Sequence, residues 1–156
     1  MIASNLYMYR IIFASCLNVA WRVVNLEKRA KKGLPSLSEL ISLKNKKALI
    51  TGSGTGIGAA IAYRFAEAGA NLELVDIDEE KLSKVKEDLR QFETEIGIHK
   101  VDLSKKKEID ALWSTLQGRE PDILVNNAGI YPSKPFLSVD EAFLKKIIDV
   151  NLTAVF

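Results

Sequence analysis

The chain has 156 residues, 47% of them apolar, with one cysteine (Cys16) and one histidine (His99). That length fits a single domain of ordinary size, and a lone cysteine excludes an internal disulfide and offers no metal-ligand spacing. Residues 1–47 carry nine Lys/Arg against Glu27 and Glu39, a net +7, while 13 basic and 18 acidic residues leave −5 on the rest; an acidic body argues against nucleic acid as a partner.

Residues 11–21, IIFASCLNVAW, hold no charge and lie between Arg10 and Arg22. A membrane-spanning helix needs about 20 predominantly apolar residues, so this run is short. At helical spacing Ser15, Asn18, Arg22, Asn25 and Arg29 form one polar stripe beside a wide apolar face, the pattern of a helix lying on a membrane surface. Three readings stay open: peripheral membrane contact through residues 1–30, packing on the body or on another subunit, and a cleaved or anchoring leader, with organelle targeting not excluded. Otherwise the expected location is cytoplasmic. Residues 1–44 are read as an N-terminal extension, a helix and a charged connector with a short helix from Ser38, and residues 45–156 as the folded domain.

From Asn45 strands and helices alternate. KKALIT makes a buried strand, and Gly56 to Ala68 a helix closed by Gly69,. NLELVDID is a second strand, and Glu79 to Thr94 a helix with Leu82, Val85 and Leu89 inward. GIHKVDL is a third strand; Ser104 caps a helix from Lys105 to Gln117,. PDILVNNAG is a fourth strand, and Ser138 with Glu141 forms a capping box for a last helix, VDEAFLKKIIDVNLTAVF,. Such alternation gives an α/β fold: a Rossmann-type parallel sheet with helices on both faces, in the strand order 3-2-1-4. The sheet is expected to be truncated after the fourth strand and following helix, so the chain reads as a fragment.

Between the first strand and first helix stands TGSGTGIG, glycines at 52, 54, 56 and 58. Glycines there permit a tight turn and close approach to phosphates, and the helix N-terminus beyond offers free N–H groups and partial positive charge to a diphosphate. The G-x-G-x-x-G pattern is absent; the spacing is T-G-x-x-x-G-x-G, from Thr51, Gly52, Gly56, Ile57 and Gly58. Asp76 closes the second strand eighteen residues after Gly58, where a carboxylate accepts hydrogen bonds from ribose hydroxyls. A 2′-phosphate there would meet like charge, and Thr55 and Ile77 offer it no cation, so NAD(H) is expected over NADP(H). His99 is read as structural.

TGSGTGIG, Val101–Asp102 and NNAG at residues 126–129 together resemble the short-chain dehydrogenase/reductase family, over about Asn45 to Phe156. The resemblance implies an oxidoreductase that moves hydride between a nicotinamide and a small alcohol or carbonyl substrate. It implies that Gly52, Ser53, Thr55, Gly56, Ile57, Gly58 and Asp76 hold the cofactor, that Asp102 meets the adenine with Leu103 lining its pocket, and that Asn127, Ala128 and Gly129 pass near the nicotinamide ribose. Asn126 is read as a backbone-bonding turn residue. Asn151 falls where the family holds a water in its proton relay, and the helix from Val139 is where a homo-oligomer forms. One departure bears on activity. The family's acid/base is a Tyr with a Lys four positions on, whereas Tyr7, Tyr9, Tyr63 and Tyr131 are followed at that distance by Ile11, Phe13, Glu67 and Pro135. The chain as given is therefore expected to be inactive. A non-catalytic dinucleotide-binding fragment, or a partner-binding module recruited to a membrane surface, is the competing expectation.

Overall fold

A computed structural model describes residues 35–156. The apolar and basic stretch read above as a helix lies outside them. Among the described residues no helix is long and apolar enough to cross a membrane. Residues 41–156 make one compact unit. Before it, a single helical turn, Leu37–Leu40, begins one residue earlier than Ser38. Its capping box is Ser36 with Glu39: the Glu39 N–H donates to Ser36 Oγ at 3.2 Å and the Ser36 N–H to Glu39 Oε2 at 2.6 Å,.

The unit holds four strands, β1 (Lys47–Thr51), β2 (Asn71–Asp76), β3 (Ile96–Lys100) and β4 (Ile123–Val125), and four helices, α1 (Gly56–Glu67), α2 (Glu79–Asp88), α3 (Lys106–Thr115) and α4 (Glu141–Asn151). All pairings are parallel, in the order β3-β2-β1-β4. That is the Rossmann-like arrangement expected from the alternation. Register runs from Lys47 opposite Asn71 to Thr51 opposite Val75, and from Ala48 opposite Ile123 to Ile50 opposite Val125. The strand ends therefore line up at one rim.

Strand period decides the two faces. Ala48, Ile50, Leu72 and Leu74 meet Ala62 and Ala66 of α1 and Leu82 and Leu89 at α2. Leu49, Val75 and Val101 meet Leu112 and Leu116 at α3 on the other. Each fully buried Leu or Ile contributes about 1.5–3 kcal/mol relative to exposure, so these faces fix the register.

Several boundaries differ from those read in the sequence. α2 stops at Asp88, well short of Thr94, because the chain turns through Leu89 to bring Phe92 edge-on to Tyr63, ring centroids 5.0 Å apart,. β3 ends at Lys100 and α3 starts at Lys106: Ser104 is no cap, since its hydroxyl donates to Asp102 Oδ1 at 2.7 Å in a local turn,. The capping box at Ser138 is also replaced. Ser138 sits in a 3₁₀ turn, Phe136–Ser138, and Asp140 caps α4 by accepting from the Phe143 N–H at 2.8 Å. α4 ends at Asn151, followed by a 3₁₀ turn, Thr153–Val155.

Candidate functional site

The glycine turn leaves β1 at Thr51 and enters α1 at Gly56. Gly52 has φ +64°, a left-handed backbone that glycine adopts freely, and a side chain there would stand 2.8 Å from the Ala128 Cα,. A side chain on Gly58 would fall on the Gly52 carbonyl oxygen and 2.6 Å from Asn127 Nδ2. The helix start thus lies against the turn and admits no Cβ. Thr55 caps α1 in extended conformation without a side-chain hydrogen bond, and Ile57 is 74% exposed. The N–H groups of this first turn are left to solvent or to an anion.

Asp76 ends β2 beside the turn. Its Oδ2 accepts from the Gly54 N–H at 2.9 Å and its Oδ1 from the Asp78 N–H at 3.1 Å. The carboxylate is held against the glycine turn, and among the described residues its remaining lone pairs take no further hydrogen bond. Ser53 is different: it is fully buried, and both its N–H and its hydroxyl donate to the Val75 carbonyl. Expected among the cofactor contacts, its side chain serves the loop from inside.

The segment after β4 is fastened at both ends. Thr51 Oγ1 accepts from the N–H groups of Asn127 and Ala128, each at 3.0 Å, and donates to the Val125 carbonyl at 3.3 Å. Asn127 Nδ2 donates to the carbonyls of Thr51 and Gly52 at 2.9 and 3.1 Å. Beyond exposed Gly129, Asn151 Oδ1 accepts from the Ile130 N–H at 2.8 Å and its Nδ2 donates to the Ile130 carbonyl at 2.9 Å. The Asn151 amide is therefore committed to the backbone of this segment. Asn126 is exposed and, among the described residues, its side chain makes no hydrogen bond, so the turn role read for it is not the one it plays.

Asp102 follows β3. Its Oδ1 takes the Ser104 N–H and hydroxyl, and Lys105 Nζ stands 3.2 Å from Oδ2. The Ser104 hydrogen bond, with Lys105 assisting, holds this carboxyl below its ordinary pKa,. Leu103, expected to line an adenine pocket, is partly buried and packs on the Leu49–Val75–Leu112 cluster.

Residues 52–58, Asp76, Asp102 and residues 127–129 thus share the carboxyl rim of the sheet, around the β1–β4 crossover where ligands of such sheets bind. A separate groove of about 560 Å³, lined by Leu103, Trp113, Leu124 and Val155, involves neither the glycines nor Asp76. Two features went unread in the sequence. Thr51 is a three-bond hub, signalled only by its place before the first glycine. Glu73 and His99 pair across β2 and β3 at 2.7 Å, both largely buried; this structural His fits its reading, and a charged residue inside an apolar strand was the available signal for Glu73. Among the described residues no cluster of ligating side chains could hold a metal ion.

The short chain dehydrogenase family pattern matches residues 46–156. The chain belongs to the short-chain dehydrogenase family. It is 34% identical over 116 residues to the 3beta-hydroxysteroid dehydrogenase 2 of Eggerthella lenta, a match covering 72% of this chain and 45% of that protein. L-Sorbose reductase from Gluconobacter frateurii, solved with NADPH and L-sorbose, superposes with a TM-score of 0.69 at 29% identity, over 74% of this chain and 45% of the other. A 4-hydroxyisoleucine dehydrogenase solved with NADH gives 0.64 at 34% identity, over 72% and 45%. The chain thus spans under half the length of the curated relatives it matches.

Proposed function

We propose that residues 45–156 are the cofactor-binding portion of an NAD(P)-dependent oxidoreductase acting on an alcohol or carbonyl carbon, with NAD(H) preferred. The observation that carries this reading is the turn at residues 52–58, which a Cβ at Gly58 would fill, open at the α1 N-terminus and faced by the Asp76 carboxylate. Those groups fit a dinucleotide: N–H donors for the diphosphate and an acceptor for the ribose hydroxyls. Bound there, the nicotinamide would supply the hydride. The chain's own residues bind and orient it, Gly52, Gly56 and Gly58 by backbone, Asp76 at the adenosine ribose, and Asn127, Ala128 and Gly129 bordering the nicotinamide end. Asn151 acts through its backbone carbonyl as the water-holding group of a proton relay, its amide being occupied by Ile130. The preference for NAD(H) rests on like charge between Asp76 and a 2′-phosphate, and the solved neighbours include both an NADPH and an NADH complex.

Calorimetric titration tests this reading: NADH binds the chain more tightly than NADPH, and Asp76→Ala narrows the gap. Absence of heat with either dinucleotide would sink it. No Tyr-x-x-x-Lys stands in these 156 residues, so purified chain 1–156 produces no NADH from alcohol and NAD; measurable turnover would contradict the inactive assignment. Leu124 of edge strand β4, 46% exposed, favours as second reading a non-catalytic binding module, recruited to a membrane surface from the cytoplasm by residues 1–30. Equal soluble fractions of full-length and Δ1–40 forms in cells would remove the membrane part. Exposed Leu144 and Ile148 on α4 would serve a homo-oligomer, and sedentation as a strict monomer at high concentration would exclude it.

A further inference from the structure

Asp76 is not the sole charge beside the glycine turn. Asp78 caps α2, its Oδ1 accepting from the Lys81 N–H at 3.2 Å while its Oδ2 stands 3.0 Å from Lys81 Nζ. A side chain built on Gly54 would lie 2.9 Å from Asp76 Oδ2 and 3.0 Å from the Lys81 Cβ. The lysine stem and the Asp76 carboxylate therefore flank the same turn residue. Asp78, and Asp76 at longer range, hold the Lys81 ammonium above its ordinary pKa. Lys81 is more than half exposed and its ion pair with Asp78 is a surface pair, worth little against solvent. Its head can leave Asp78 at small cost. The acids around it are Asp76, Asp78, Glu79 and Glu80; the other nearby cation, Lys100, stands opposite Asp76 in the β2–β3 register.

Resting on the reading that this rim takes the adenosine ribose, we propose that Lys81 is a second specificity determinant, its ammonium moving from Asp78 to a 2′-phosphate and setting how strongly Asp76 discriminates against that group. Ile77 and Thr55, the neighbours of Asp76 and of the turn, carry no cation. Lys81 reaches the same place from one helical turn away. At a separation of several ångström near the surface, one unit charge against a phosphate changes binding about 3–10-fold at physiological salt, and less as salt rises.

The test compares 5′-AMP with adenosine 2′,5′-bisphosphate on the full chain by calorimetry, at low and high salt. Lys81→Gln weakens the bisphosphate about 3–10-fold and leaves 5′-AMP within twofold, and the gap closes at high salt. Lys81→Arg restores the bisphosphate, and Lys100→Gln changes neither ligand. In an Asp76→Ala background, where the 2′-phosphate meets less repulsion, Lys81→Gln removes most of the gain. An unchanged ratio in Lys81→Gln overturns the proposal, as does an equal loss on both ligands or an effect that appears on Lys100→Gln instead. Failure of 5′-AMP itself to bind the unaltered chain would overturn the dinucleotide reading beneath it, an outcome distinct from a flat ratio. Far-UV circular dichroism confirms that the variants fold alike.

Discussion

Removing the Thr51 hydroxyl should loosen the join between β1 and the segment after β4. Thr51 is 7% exposed, and its Oγ1 is the acceptor for two N–H groups from a segment 76 and 77 residues away. Thr51→Val keeps the shape and leaves both N–H groups without that acceptor. An unsatisfied buried donor costs about 1–3 kcal/mol; because both bonds are part-buried, the lower half of that range applies to each, giving about 2–4 kcal/mol together. For a domain near 100 residues this lowers the melting temperature by roughly 8–30 °C, at about 4–8 °C per kcal/mol. Thr51→Ser keeps the acceptor and loses one methyl, about 1 kcal/mol. The assay is urea denaturation followed by tryptophan fluorescence, with Trp113 on α3 as reporter. A Thr51→Val midpoint equal to wild type, or equal to that of Thr51→Ser, would refute the hub argument.

Gly58→Ala drives a methyl onto the Gly52 carbonyl and Asn127; overpacking costs about 1–3 kcal/mol, and NADH affinity measured by fluorescence falls alongside stability. Asn151→Ala releases the Ile130 backbone, and hydrogen exchange at the Ile130 amide quickens by about tenfold while the β1 amides keep their rates. Ser104→Ala removes the largest cause of the lowered Asp102 pKa. A depressed carboxyl stabilises the fold above its unfolded pKa and loses that contribution as pH falls through the folded value. The variant therefore titrates Asp102 nearer its ordinary pKa, followed by carboxyl-carbon NMR, and its stability deficit at neutral pH shrinks toward acid. A deficit that grows on acidification would reverse the assigned sign.

Apolar period carried most of the fold. Leu72 and Leu74 alternate with Glu73 and Val75, so β2 and its neighbours were legible, as were the glycine turn and Asp76 at the strand end; the order β3-β2-β1-β4 came instead from the usual arrangement of alternating strands and helices in dinucleotide-binding sheets,. Helix limits were not, because several contenders for the same backbone groups stand close together. Ser138 and Asp140 both qualify as a cap for α4, and the choice fell to Asp140, which also meets Lys134 Nζ at 2.6 Å. Ser104 could cap α3 or close on Asp102; the nearer charged acceptor took it,. Phe92 continued a helical pattern, yet its ring contact with Tyr63 lay off the α2 axis. Which oxygen accepts from which N–H is settled by tertiary approach, and no window of local sequence contains the partner of Asn127 or of Asn151.

That dependence on distant partners bears on how the glycine motif works. Residues 52–58 supply a chain able to turn, but Asn127 holds the carbonyls of Thr51 and Gly52, and Gly58 can pack there only because no side chain intervenes. The orientation of the α1 N–H groups toward an anion is thus a joint property of β1 and the segment after β4, rather than of the motif alone. On the opposite flank Asp76 is aimed by the Gly54 N–H, so the same turn positions both the α1 N–H groups and the Asp76 carboxylate, the groups proposed above for the diphosphate and the ribose. On that proposal, diphosphate grip and sugar recognition rise or fall together when residues 51–54 move. Under the proposed dinucleotide reading, a change that spares Asp76 but shifts Thr51 is expected to alter cofactor selectivity as well as affinity, through about 10 Å of backbone.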